Sequence, residues 1–173
     1  MKKSFIAIAA CALVTLATTT SAFAQLKIGH IDSEKLMLLM PERDSAAKVF
    51  EKYSADLNKV LEEMQVEFNN KYEQYTVQID SLSDFIRKAK EAELGETRQK
   101  ITEFQTLAQQ EMQKKQTELM QPIIDKVKKI IKEVAVANKF TYILDTAYGA
   151  VMYFPEDESM DILPLVKAKL GIK

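Results

Sequence analysis

From Asp44 to Gln121 the chain carries no proline and a single glycine, Gly95, while apolar residues recur every three or four positions. Proline lacks the amide donor and collides with the preceding turn. Its absence among so many Lys, Glu, Gln, Leu and Met residues predicts helix throughout. The stripe Phe50, Tyr53, Leu57, Leu61, Met64, Phe68, Tyr72, Tyr75, Ile79, Leu82 keeps one helix face pointing one way. Its mean spacing lies between a heptad and an 11-residue seam, so the supercoil is expected to be slight. A second stripe follows with Phe85, Ile86, Ala89, Leu94, Ile101, Phe104, Leu107, Ala108, Met112 and Leu119. Between the two, Ile79–Asp84 brings two serines and two aspartates, and either Ser81 or Ser83 can cap a new helix. Gly95 costs a helix about 1 kcal/mol against alanine and is the other place for a turn. A turn centred on Leu82 leaves two arms of 37 residues each, Asp44–Asp80 and Asp84–Met120. The equal lengths favour the serines. Each arm would then be about 55 Å long, with Leu57 near Leu107, Val60 near Phe104 and Met64 near Ile101.

The pattern is different on either side. Leu26–Ile31 is a short apolar run that predicts a strand. Asp32 or Ser33 caps a short helix from Glu34 to about Met40, which Pro41 ends. After Pro122 the helix becomes strongly one-sided: Ile123, Ile124, Val127, Ile130, Ile131 and Val134 share a face, and Lys126, Lys128, Lys129 and Lys132 occupy the rest. So wide a face suits packing on a sheet. Asn138 marks its end. Phe140–Asp145 is β-branched and aromatic and predicts a strand. Ala147–Ala150 reads as a turn and Val151–Phe154 as the returning strand. Pro155–Ser159 is a loop. Asp161 caps a last helix, Ile162–Leu170, with Gly171 after it. The fold expected is α+β: a long antiparallel helical hairpin, residues 44–120 with its tip near 81–83, projecting from a small β-rich body. The body is built from residues 25–43 and 121–173. About three strands seldom suffice alone, so self-association through the body is expected.

The first residues place the product. Lys2 and Lys3 precede the apolar run Phe5–Leu16, and Ala22-Phe23-Ala24 follows. Residues 1–24 therefore read as a signal peptide cleaved after Ala24. Cys11 is the only cysteine and leaves with it, which excludes a disulfide framework or a thiolate site in the mature chain. Losing Lys2 and Lys3 takes 24 Lys and Arg to 22, against 25 Asp and Glu, a net charge of −3. That balance gives no electrostatic pull toward nucleic acid.

Candidate chemistry adds little. His30 is the only histidine and lies in a predicted strand with no orienting partner nearby. None of the phosphate-loop, dinucleotide, serine-hydrolase or zinc-protease motifs occurs. The acids of the arms alternate with Lys and Arg, as on a solvated helix. Glu156, Asp157 and Glu158 lack the alternating spacing and the glycine of a calcium loop. The expectation is a protein that is not an enzyme, with no cofactor and no metal.

What remains is surface. Val66 and Val77 stand eleven residues apart on a face opposite the seam, and the seam itself is rich in Met, Phe and Tyr where a stable coiled coil uses Leu and Ile. Methionine adapts to irregular partners, and tyrosine joins an apolar body to a polar tip. Such arms suit weak, unspecific contacts with apolar segments. The candidate contacts are Val66, Val77, Phe85, Ile86, Met64, Phe68 and Tyr75; the candidate oligomerisation residues are Ile28, Ile31, Ile143 and Leu144.

Taken together, Lys27–Lys35 (KIGHIDSEK) behind a signal peptide, the long Gln/Glu/Lys hairpin with Leu82-Ser83 at its tip, Leu119–Ile124 (LMQPII) and Phe140–Asp145 (FTYILD) resemble the Skp/OmpH family over essentially the whole mature chain. The resemblance implies a periplasmic, ATP-independent holdase for unfolded outer-membrane proteins. It also implies a homotrimer whose three helical arms enclose the client in a central cavity. Two departures stand out. The family's Asp-Ile-Thr motif is Asp161-Ile162-Leu163 here. Some members have basic arms thought to attract lipopolysaccharide or anionic membrane, whereas residues 44–120 carry 11 Lys and Arg against 15 Asp and Glu. Their net charge of −4 argues against such binding, although Arg87, Lys88 and Lys90 cluster near the tip. The other reading of the arms is a structural spacer or adaptor that binds one defined folded partner.

Overall fold

The computed structural model describes residues 26–149, 151–154 and 160–172. The expected signal peptide, Cys11, Ala150 and the acids at 156–158 lie outside them. The chain is mostly helical, with long helices and a two-stranded sheet. In order, β1 spans Ile28–Ile31, α1 Ser33–Leu38, α2 Pro41–Gln78 and α3 Asp84–Ala137, followed by β2 at Tyr142–Asp145 and α4 at Leu163–Leu170. Single 3-10 turns sit at Ile79–Ser81 and Ala147–Gly149.

Each boundary has a local cause. Asp32 accepts a hydrogen bond from the Lys35 N–H at 2.8 Å and so caps α1. Pro41 is the first residue of α2 rather than only the stop of α1; there its missing donor is one the helix would leave unpaired anyway. Ser83 caps α3 by accepting from the Ile86 N–H at 3.4 Å, so the reversal falls at the serines. Gly95 is inside α3.

Pro122 does not end the helix. The expected arm Asp84–Met120 stops just before it, but α3 runs through it for 54 residues. An interior proline costs about 3 kcal/mol, and the burial of Ile123 and Val127 directly beyond it offsets that loss. The helix stops at Asn138 in a Schellman turn: the Phe140 N–H donates to the Ala135 carbonyl at 2.9 Å and the Lys139 N–H to the Val136 carbonyl at 3.2 Å. Lys139 takes the left-handed conformation this turn requires, at φ 57°. Glycine suits that place and alanine suits position 95, where an added Cβ meets nothing within 4 Å. Gly95→Ala and Lys139→Gly are each expected to stabilise the fold by about 1 kcal/mol, read as a raised melting temperature.

β1 and β2 pair in parallel, Ile28 beside Tyr142 and Ile31 beside Asp145. The returning strand at Val151–Phe154 is absent. After β2 the Asp145 carboxylate accepts the Ala147 N–H at 3.0 Å, and Tyr148 turns left-handed at φ 60°. β1 is extended on its other side by Asp161, which bridges to His30. Asp161 also accepts the Leu163 N–H at 2.8 Å, so it serves the start of α4 from one residue further out than expected. Gly29 is required in β1, because a Cβ there would lie 2.8 Å from Phe140 Cε1.

The core gathers both ends of the sequence. Ile31, Leu36 and Met40 from the first 40 residues meet Ile123, Val127 and Val134 of α3 and Ile162, Leu163 and Val166 around α4. The apolar face after Pro122 is thus covered by the sheet, α1 and α4 together.

Candidate interaction surfaces

The long helices α2 and α3 pack along one another in opposite directions. Ser54 Oγ lies 3.7 Å from Met112 Sδ, and nearer the turn the Tyr75 hydroxyl donates to Glu91 at 2.7 Å. Lys71 bridges Glu67 at 2.8 Å and Glu93 at 3.3 Å. The hydrogen bond to Glu91 raises the Tyr75 phenol above its ordinary value, and those that Lys71 donates to Glu67 and Glu93 raise its ammonium. Tyr75 and Lys71 are thus partnered near the turn, whereas the buried Arg87 Nε has no hydrogen-bond partner.

This packing divides the candidate contacts. Met64, Phe68 and Tyr75 lie on the seam, and Tyr75 is only 9% exposed. They support the helix pair and are not open contacts. Val66, Val77, Phe85 and Ile86 point outward, with Val77 and Phe85 both 81% exposed. Phe85 and Ile86 follow directly after the reversal, in the first turn of α3. Two expected seam residues also face water, Tyr72 at 52% and Leu107 at 54%. Ala108, one residue on, is buried instead, and the partners Ser54–Met112 and Tyr75–Glu91 set the register two residues from the expected Leu57–Leu107 pairing.

The sheet offers a second surface. Ile28, His30, Tyr142 and Leu144 share its outer face by alternation and pairing. Tyr142 is 59% exposed and Leu144 41%. Beside them Met152 is fully exposed and Tyr153 83% exposed, and the Phe154 ring lies 4.5 Å from that of His30. Ile31 and Ile143 are on the inner face, where Ile31 is 1% exposed and Ile143 packs against the core. Both of these expected oligomerisation residues therefore contribute to the core of the single chain. Tyr142, Met152 and Tyr153 were missed, although the alternation Tyr142, Leu144 carried the signal for the first.

Neither surface carries a reactive grouping. Among the described residues no three His, Cys, Asp or Glu side chains come together as metal ligands would, and no helix is long and apolar enough to cross a membrane. The shifted acids belong to clamps. Burial acts to raise Asp145, but hydrogen bonds from the Ser33 hydroxyl, the Ala147 N–H and the Ser33 N–H outweigh it and hold the carboxyl below its ordinary value. The Lys126 hydrogen bond lowers Glu42, and the Lys169 hydrogen bond lowers Glu133. A depressed carboxyl stabilises the fold above its unfolded value, and that contribution disappears as the pH falls through the folded value. Thermal stability is therefore expected to decline below about pH 4. Asp145→Asn should flatten that decline while costing about 1 kcal/mol at neutral pH, as followed by melting curves across pH.

The class of protein is thus a mainly helical one with long helices, a small two-stranded sheet and apolar side chains presented outward. The chain belongs to the OmpH-like outer membrane protein family, whose model matches residues 27–170. The solved structure of a candidate outer membrane chaperone (OmpH-like) from Caulobacter crescentus CB15 superposes with a TM-score of 0.69. The match covers 83% of this chain and 82% of that one at 16% sequence identity, so the likeness is one of fold. No curated protein matches the chain.

Proposed function

We propose that this protein is an ATP-independent periplasmic holdase that binds unfolded outer-membrane β-barrel proteins and keeps them from aggregating. The observation that carries this reading is the set of separated apolar side chains, Val66, Val77, Phe85 and Ile86, held outward along two long helices. Barrel precursors alternate apolar and polar residues and cannot bury their lipid-facing side before insertion. Several weak apolar contacts on one scaffold hold such a chain by multivalency and release it easily. In this reading residues 44–120 form an arm that projects from a body of residues 25–43 and 121–173, and the body joins three chains. The outer sheet face with Ile28, Tyr142 and Leu144 is the joining surface. Three arms then enclose one client.

An adaptor for a single folded partner would need a continuous patch, whereas the outward apolar residues are spread among charges. Lipopolysaccharide or anionic membrane is a poor fit, since Arg87 pairs with Asp84 at 3.9 Å and Lys90 with Glu93 at 3.3 Å. The test is light scattering of a denatured outer-membrane barrel protein diluted into the mature protein without nucleotide. Suppression is expected at one trimer per client, and it should weaken severalfold when Val66, Val77, Phe85 and Ile86 are all replaced by serine. A wild-type protein that neither binds the client nor delays its aggregation sinks the proposal.

A further inference from the structure

The seam between α2 and α3 opens into a groove near the body. The partners Ser54–Met112 and Tyr75–Glu91 fix a register, and continued toward the body it sets Ala46 across from Met120 and Phe50 across from Gln116. Two alanines thus stand where the stripe elsewhere has Phe50, Tyr53 and Leu57, and the Phe50 ring faces a polar amide. The result is a groove of about 300 Å³ lined by Arg43, Ala46, Ala47, Phe50, Leu119 and Met120, with Gln116 at its edge. Its floor is fixed, because Ala46 belongs to the buried core and Leu119 and Met120 pack against it. Methionine at one wall lets the groove adapt to different occupants. Its rim is polar and positive. Among the described residues the Arg43 guanidinium pairs with no acid, although ten ion pairs are formed elsewhere.

An apolar slot beside an unpaired guanidinium selects its occupant by size and charge. We propose that this groove anchors one large apolar side chain, aromatic or branched aliphatic, of an extended unfolded segment whose neighbouring carboxylate is held by Arg43. The inference rests on the holdase reading and deepens it, since it gives the arm one built site at its root beside the dispersed contacts further out. Extended segments put residues two apart on the same face. An apolar residue and an acid in that relation reach slot and guanidinium together; in a barrel strand such a pair occurs at an aromatic girdle, where the outward position two residues on lies beyond the apolar band.

The test uses the mature full-length protein and three fluorescent ten-residue peptides of alternating polarity. One carries Phe with Asp two residues on, one replaces Phe by Ala, and one replaces Asp by Asn. Titrations followed by anisotropy should show the Phe/Asp peptide binding at least about tenfold more tightly than the Ala/Asp peptide. Ala47→Phe fills the slot from its exposed side and should abolish that preference. Arg43→Gln should weaken the Phe/Asp peptide about two- to fivefold and leave the Phe/Asn peptide unchanged. Circular dichroism and native mass accompany each variant. The inference is overturned if Ala47→Phe binds the peptides as the wild type does. It is equally overturned if that variant, still helical, loses its oligomeric state, because the groove would then be filled by a second copy of the chain. If the wild type protects a barrel client and Ala47→Phe protects it equally, the anchor falls and the holdase stands. If the wild type protects nothing while the Phe/Asp preference is present, the holdase reading falls instead.

Discussion

Leu144→Asp is expected to turn the native oligomer into single chains. Leu144 stands on the outer face of β2 beside Ile28 and Tyr142, 41% exposed in the single chain. In the trimer proposed here that face is covered by a neighbour. A carboxylate placed in such a contact loses water and gains no partner, which costs several kcal/mol at each contact. With one contact per pair of chains, the penalty is repeated around the ring. The single chain should keep its fold, because the substitution touches the outer face and not the core. Sedimentation at micromolar concentration should show the mass of one chain with an unchanged helical spectrum, and protection of a client should disappear with the cavity. Tyr142→Asp should behave alike. If both variants sediment as the wild type does, the sheet face is not the joining surface.

Leu36→Ala has the largest expected effect on the fold itself. Leu36 is completely buried on α1, a helix of six residues that cannot persist without its packing. Removing the side chain loses its transfer free energy and leaves a cavity, about 2–5 kcal/mol for leucine to alanine. For a domain of this size that corresponds to a fall of roughly 5–15 °C in melting temperature. The loss should extend beyond α1. The Asp145 carboxylate accepts the Ser33 N–H at 3.1 Å at the start of that helix, so α1 and the end of β2 are tied. Proteolysis after the substitution should accordingly expose sites near Ser33 and near Asp145 together. A variant that melts within about 1 °C of the wild type would show that the core is not shared in this way.

The helices were legible in the sequence because their signals are local. The unbroken 3- and 4-residue spacing named the long helices, and the side chain of Ser83 sufficed to place the reversal. Asp32 and Asn138 likewise marked ends through hydrogen bonds to their own neighbours. Where the expectation failed, the deciding contact lay far away in the chain. Pro122 stayed helical because Ile123 and Val127 are buried against residues from the other end of the sequence. Val151–Phe154 has strand-forming residues, yet a strand needs an edge to pair with, and this segment pairs with neither β1 nor β2. Of the candidate sites, outward Val66 and Val77 could be read from helical phase alone. Phase also put Met64, Phe68 and Tyr75 on the seam, and their softness did not free them from it. Ile31 and Ile143 could not be assigned to the inner face before the pairing of β1 with β2 was known. The groove at Ala46 and Ala47 was invisible for the same reason, since it depends on which residues of α3 stand opposite.

The central claim is that three chains enclose one unfolded barrel protein, and the mass of the native complex tests it most directly. The mature protein, mixed with one denatured outer-membrane barrel protein and measured by native mass spectrometry without nucleotide, should give a species of three chains plus one client. The free protein should give three chains. A free protein that is monomeric, or a trimer that gains no client mass, would contradict the account.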